Sequence, residues 1–202
     1  MPLNANALTT LAFAKTYLKI PSTETSQDAL VEFFINAASQ DVESETNRKL
    51  KAQSHTEYQH GRKSNTLLLR EFPINSVTEL RIDSTSNFTD AQTLMDTDDY
   101  RIADDKNALV LLNGVFPNGY QNIRAIYNAG YTTVPSDLEH ACLWLVFYYH
   151  KMRIAEDIGR SSKSKGDESM SMLQEAPANV RNTIQRYKRT EFEGPHALIF
   201  NG

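Results

Sequence analysis

The sequence predicts an α+β fold: a helical bundle of about four helices, a small antiparallel β-sheet inserted among them, and an extended C-terminal arm. Three observations lead there. Apolar residues recur at three-and-four spacing in segments towards both ends of the chain. Between Gln53 and Tyr127 that rhythm gives way to short β-like runs separated by turn residues. Beyond the longest helical stripe lies a stretch rich in Ser and Gly, then a Pro-led helix and an apolar terminus.

Taken in order, Ala7 to Ile20 places Leu8, Leu11, Ala12, Lys15 and Leu18 on one face, and Pro21 ends the helix. Thr25 and Asp28 then have capping-box spacing ahead of a long helix running to Lys49. Its apolar side is Leu30, Phe33, Phe34, Ala37, Ala38 and Val42. Its far end, Glu43 to Arg48, turns polar and is expected to project beyond the core. In the β region, His55–Gln59 and Thr66–Leu69 flank the turn Gly61–Asn65 as an expected hairpin. Pro73 and Ile74 lead into Val77, Leu80 and Ile82, and a second hairpin joins Tyr100–Ile102 to Leu109–Leu112 across residues 103–107. Ile123, Ala125 and Tyr127 alternate as a strand, Gly130 supplies a turn that favours positive φ, and Pro135 starts the best-marked helix. There Ser136 and Glu139 have capping-box spacing. Leu138, Ala141, Cys142, Leu145, Val146, Tyr149 and Met152 form one broad stripe. Residues 158–176 form the Ser/Gly-rich loop. Pro177 opens a helix to about Arg189 with Val180, Ile184 and Tyr187 as its apolar side, and Ala197–Phe200 close the chain.

A chain of 202 residues with 40% hydrophobic and 23% charged residues has the composition of an ordinary globular protein and can bury a sizeable core. No apolar run approaches the ~20 residues that span a bilayer, and the N-terminus lacks the basic leader of a secretory signal. Charge is unevenly spread. Residues 1–150 hold 12 Lys/Arg against 18 Asp/Glu, a net of −6, whereas residues 151–190 hold 9 against 5, a net of +4. An acidic body disfavours stable DNA binding, since phosphate contact needs cationic side chains.

Catalytic and metal-binding patterns are weak. Cys142 lies within the helical stripe and reads as a small buried hydrophobe. The five histidines, His55, His60, His140, His150 and His196, show no zinc-site spacing. Asp96, Asp98, Asp99, Asp104 and Asp105 fail the calcium-loop pattern, because Tyr100 and Arg101 stand where a ligand and a glycine belong. Residues 104–107 read as a hairpin turn. No phosphate-binding glycine pattern and no nucleophile elbow is present, so no catalytic, cofactor-binding or metal residue is assigned and the chain is expected not to be an enzyme.

Several blocks in one order resemble the head–tail connector, or adaptor, family of tailed bacteriophages. They are residues 8–20 and 28–50, the Leu69, Pro73, Ile74, Val77 segment, residues 126–146 as the strongest match, and the Ser/Gly loop followed by residues 176–189. Together they cover most of residues 7–190. The resemblance implies a connector core over residues 1–157, the loop over 158–176, and a C-terminal helix and docking arm over 177–202. It also implies a structural protein of the virion neck, assembled in the host cytoplasm into a ring, typically dodecameric. That ring joins the portal protein to a tail-side terminator or tail protein, and DNA passes through its channel without specific binding. No cofactor and no membrane is implied. Arg181, Arg186, Lys188 and Arg189 are the expected portal-binding cations, with Phe192, Leu198, Ile199 and Phe200 as apolar anchors. A tail terminator or head-completion protein is the alternative joining role. An uncharacterised hydrolase or small-ligand binder is the alternative of another class.

Overall fold

The computed structural model describes residues 2–154 and 176–189. These form two compact units. One comprises residues 4–8 and 49–136, and the other takes in 2–3, 9–48 and the described residues from 137 onwards. The class is α+β, with four helices and two small antiparallel sheets among the described residues.

The first unit is built on β1 (Gln53–Gly61), β2 (Thr66–Leu68), β3 (Ile74–Ile82), β4 (Tyr100–Ile102), β5 (Ala108–Leu111) and β6 (Gly119–Ala129). The strands divide into two sheets, ordered β1-β6-β3 and β2-β5-β4, where the sequence suggested one. The central strand β6 is the alternating run expected from Ile123, Ala125 and Tyr127, and all three are fully buried with Ala129. They join Leu67, Leu69, Ile74, Leu80, Leu109, Leu111 and Phe116 in one core. Burying each large aliphatic side chain is worth about 1.5–3 kcal/mol.

The expected hairpin between residues 55–59 and 66–69 does not form. β1 pairs with β6 from Gln53↔Ala129 to Gln59↔Ile123, whereas β2 pairs with β5. The reason lies in the intervening turn. Gly61 N–H donates to Asn122 Oδ1 at 2.8 Å, and Lys63 and Ser64 then exchange backbone bonds with Phe116, so the chain leaves β1 for another partner. A Cβ on Gly61 would lie 1.7 Å from the Pro117 carbonyl oxygen. The second hairpin forms as expected, with Tyr100↔Leu111 and Ile102↔Leu109 in register and Lys106 N–H closing on Ala103 O at 2.8 Å. Gly130 adopts the expected positive φ, +109°, and a Cβ there would meet Lys51 O at 2.6 Å.

The second unit holds α1 (Leu11–Tyr17), α2 (Asp28–Thr46), α3 (Ser136–Ile154) and α4 (Ala178–Arg186). Thr10 caps α1 through Phe13 N–H, and Lys19 at φ 59° follows its end, so α1 is shorter than its apolar pattern. α2 starts at Asp28, but the Thr25–Asp28 capping box is not what starts it. The Asp28 carboxylate is instead held by Lys15 Nζ at 2.6 Å, and that buried ammonium also donates to the carbonyls of Ser22 and Glu24. Asn47 ends α2 in the left-handed region.

The polar end of α2 does not project. Glu43 and Arg48 are only 3% and 4% exposed, and Thr46 is fully buried with its hydroxyl returned to Val42 O. The cause is α4, which lies against this end: Arg189 N–H donates to Thr46 O at 2.9 Å, and an Arg48 Nη1 bond to Tyr187 O joins the two segments. A polar helix end is buried once a partner satisfies it, and that partner lies about 140 residues on in the sequence. The expected stripe of α3 is buried at Leu138, Ala141, Cys142, Leu145 and Val146, and that of α4 at Val180 and Ile184. No described helix is long and apolar enough to cross a membrane. The loop and arm, residues 155–175 and 190–202, lie outside the described residues.

Candidate interaction surfaces

α4 and the turn after it carry the cations singled out in the sequence. Val180 and Ile184 face inwards, which turns Arg181 and Arg186 to solvent. Arg186 lies 3.1 Å from the Asp137 carboxylate, and Tyr187 Oη donates to the other oxygen of that carboxylate at 2.7 Å. Lys188 stands 3.6 Å from Glu45, which also accepts from Gln185 Nε2. The expected portal-binding cations thus lie on α4 and the turn just beyond it, where Arg186 and Lys188 meet carboxylates of the same chain. Such exposed pairs contribute about 0–1 kcal/mol and exchange readily for a stronger anionic partner. The expected anchors Phe192, Leu198, Ile199 and Phe200 lie outside the described residues.

α3 holds a surface that the sequence reading passed over. Opposite its buried stripe the helix carries three aromatic residues between polar His140 and Lys151. Phe147 is 42% exposed, His140 and Lys151 are exposed, and Trp144 and Tyr148 are half-buried and stacked at 5.6 Å. Tyr17 of α1 packs edge-on against both His140 and Phe147. The signal was present in Leu143-Trp144 and Phe147-Tyr148, which fill the gaps between stripe positions and make the middle of the helix, residues 141–149, apolar all round. A helix of that kind is ordinarily covered on every side. Exposed Lys151 lies on the aromatic side, one turn beyond Phe147.

The β2-β5-β4 sheet has a comparable face. Its inner residues Leu67, Leu109, Leu111 and Tyr100 belong to the core, so alternation turns Leu68, Val110 and Leu112 outwards with Thr66 and Arg101. Leu68 is 42% and Leu112 51% exposed. Exposed Asp98 and Asp99 precede β4, and exposed Asp104 and Asp105 follow it, against the single cations Arg101 and Lys106.

The titratable interior is structural. Burial pushes the Cys142 thiol up to about 12, and its sulfur sits 3.6 Å from the Ser39 hydroxyl, as suits a packed hydrophobe. Burial first, and then the Glu57 carboxylate, raise the Tyr127 hydroxyl well above its ordinary value. Asp83 closes its own loop, accepting from the Thr85 hydroxyl, Thr85 N–H and Phe88 N–H, bonds that lower its carboxyl in that order. Among the described residues no three His, Cys, Asp or Glu side chains are grouped to hold a metal ion.

The described residues therefore set out faces: a basic short helix, an aromatic helix side and an apolar sheet side with an acidic rim. That is the equipment of an assembly subunit. The chain belongs to the head completion protein family, whose model matches residues 7–190. Membership bears out the resemblance to phage head–tail joining proteins drawn from the residue blocks. No curated protein matches the chain. Among solved structures, a chain in the neck of an empty GTA particle computed with C6 symmetry is similar at TM-score 0.61 and 17% identity, with 96% of each chain covered. A chain from the virion of a native gene transfer agent particle gives TM-score 0.61 at 18% identity, covering 96% of this chain and 95% of that one. One from the neck of the native particle, computed with C12 symmetry, gives 0.60 at 19%, covering 96% and 98%. At these identities the likeness is one of fold.

Proposed function

We propose that this protein is a structural component of the phage neck, resident in the virion, which forms a ring joining the portal to the tail and continuing the DNA channel. The observation that carries this reading is membership of the head completion family across residues 7–190. It is supported by the recurrence of the fold in chains of neck particles computed with twelvefold and sixfold symmetry, and a dodecamer is the stoichiometry we favour. The net of −6 over residues 1–150 suits a passage through which DNA slides. The α4 cations dock on an acidic portal surface, and the arm beyond Arg189 anchors there with Phe192, Leu198, Ile199 and Phe200. Its role is assembly rather than catalysis.

The test is electron microscopy of lysates from a virus carrying a nonsense mutation in this gene. Heads separated from complete tails are the expected outcome. Intact, infectious particles overturn the reading.

A further inference from the structure

One end of the first unit differs in charge from the rest of the chain. Three segments meet there and are tied by hydrogen bonds: Gly61 N–H to Asn122 Oδ1 at 2.8 Å, Asp83 N–H to Asn122 O at 2.8 Å, and the Ser86 hydroxyl to Tyr120 O at 3.1 Å. Residues 60–65, 84–89 and 117–122 hold no carboxylate, in a chain that has 25. Arg62 and Lys63 are exposed there, and neither meets a carboxylate among the described residues. Asp83, which leads into the middle segment, is buried, and its oxygens accept from Thr85 and Phe88. On the adjoining face of the β1-β6-β3 sheet, Glu79 is held between Arg81 and Arg124 and presents no free anion. Exposed Asp98 and Asp99 border the other sheet at Leu112, whose N–H donates to Asp99 O, and lie outside the three segments.

Tyr120 is 77% exposed, more than any other large apolar side chain described. It is nonetheless held in place. His60 stacks on it at 4.7 Å, and Gln121 N–H donates to His60 Nδ1 at 2.8 Å, which puts the proton of the neutral ring on Nε2 as a donor. The other exposed side chains are hydroxyls and amides, among them Ser84, Thr85, Asn87, Asn118 and Gln121. Cations, hydroxyls, amides and tyrosine are the groups that bond phosphate oxygens in nucleic-acid complexes. A protein interface is built around an apolar centre, and these segments contain no Val, Leu, Ile or Met.

We infer that this end of the first unit contacts the DNA backbone. Arg62 and Lys63 pair with phosphates, while Tyr120, His60 and the neighbouring amides and hydroxyls bond the same backbone without reading sequence. Two cations per copy make a weak contact, which releases as the duplex moves and gains strength only when many copies share it. This names the part of the subunit that meets the DNA of the channel proposed above and rests on that reading.

The experiment is photo-cross-linking in particles, with Tyr120→p-benzoylphenylalanine supplied to a strain lacking the gene. Irradiated particles are denatured and the chain is traced by antibody. The expected result is chain that stays with the DNA and is released by nuclease. Chain joined instead to another virion protein or to a second copy overturns the inference and makes this end a protein interface. Assembled particles that contain the chain and give no cross-link overturn it too, and both outcomes leave the neck reading intact. Particles complete without the chain overturn the neck reading itself. If the substituted chain does not assemble, the purified full chain decides, through the anisotropy of a fluorescein-labelled duplex across a salt series. Arg62→Gln/Lys63→Gln should lower the slope of log affinity against log salt by about 2, one phosphate for each cation, and Arg181→Gln/Arg186→Gln should leave it unchanged. No binding by the unaltered chain, or a slope that moves only with the α4 variant, overturns the contact.

Discussion

Tyr127 shows how one side chain holds the β unit together. It is fully buried in the central strand, yet its hydroxyl donates to Glu57 Oε2 at 2.7 Å and accepts from Glu71 N–H at 3.1 Å. Tyr127→Phe removes the donor and acceptor and leaves both partners behind. We expect a loss of about 1–3 kcal/mol, read from the urea midpoint of the folded chain. Gly61 is held by a different constraint. The missing Cβ is the space taken by the Pro117 carbonyl, so Gly61→Ala forces backbone apart and should destabilise more than Tyr127→Phe in the same titration. A third residue makes stability depend on pH. Hydrogen bonding from Arg124, then from Arg81, holds the Glu79 carboxyl below its ordinary value. A carboxyl depressed in the folded state adds stability above the unfolded pKa, near about 4.3, which is lost as pH falls through the folded value. Glu79→Gln should therefore flatten the acid limb of the stability profile below that pH. An unchanged limb would show that the Glu79–Arg124 pair adds nothing.

At the scale of elements, legibility followed sequence distance. α3, β6 and the β4–β5 hairpin were readable because their signals are local: a stripe, an alternation, a turn of Asp and Asn. The β1–β2 hairpin misread because each strand's partner is remote, β6 for β1 and β5 for β2, and no local pattern at residues 61–65 tells a turn from a crossing. The polar end of α2 misread for the same reason, since its cover, α4, comes from the far side of the β unit in sequence. The α4 cations were legible as a group, but their intramolecular partners Asp137 and Glu45 were not. The aromatic side of α3 was legible as residues and missed as a surface, because a stripe was sought and its complement left unread. α4 supplies the test of this scale. Ile184 is 1% exposed on a helix of nine residues with little else to hold it. Ile184→Ala should cost about 2–5 kcal/mol and raise hydrogen exchange along α4 and the α2 end, where Thr46 O takes the Arg189 amide. Exchange confined to α4 would mean that the α2 end is buried by other contacts.

For the whole molecule, the docking role proposed for the arm predicts that folding and attachment separate at Arg189. The 13 residues beyond it reach at most about 45 Å when fully extended. They carry Phe192 and the run Leu198, Ile199 and Phe200, an apolar load that anchors best in a partner's pocket or against a partner's strand. On this reading, truncation after Arg189 should leave the stability from urea unfolding within about 0.5 kcal/mol of the full chain. The same truncation should abolish co-sedimentation with portal-bearing heads. Attachment that survives truncation places portal binding on the α4 cations alone. In that case Arg181→Glu/Arg186→Glu in the truncated chain should remove it, and Arg186, the partner of Asp137, gives the pair its separate folding control.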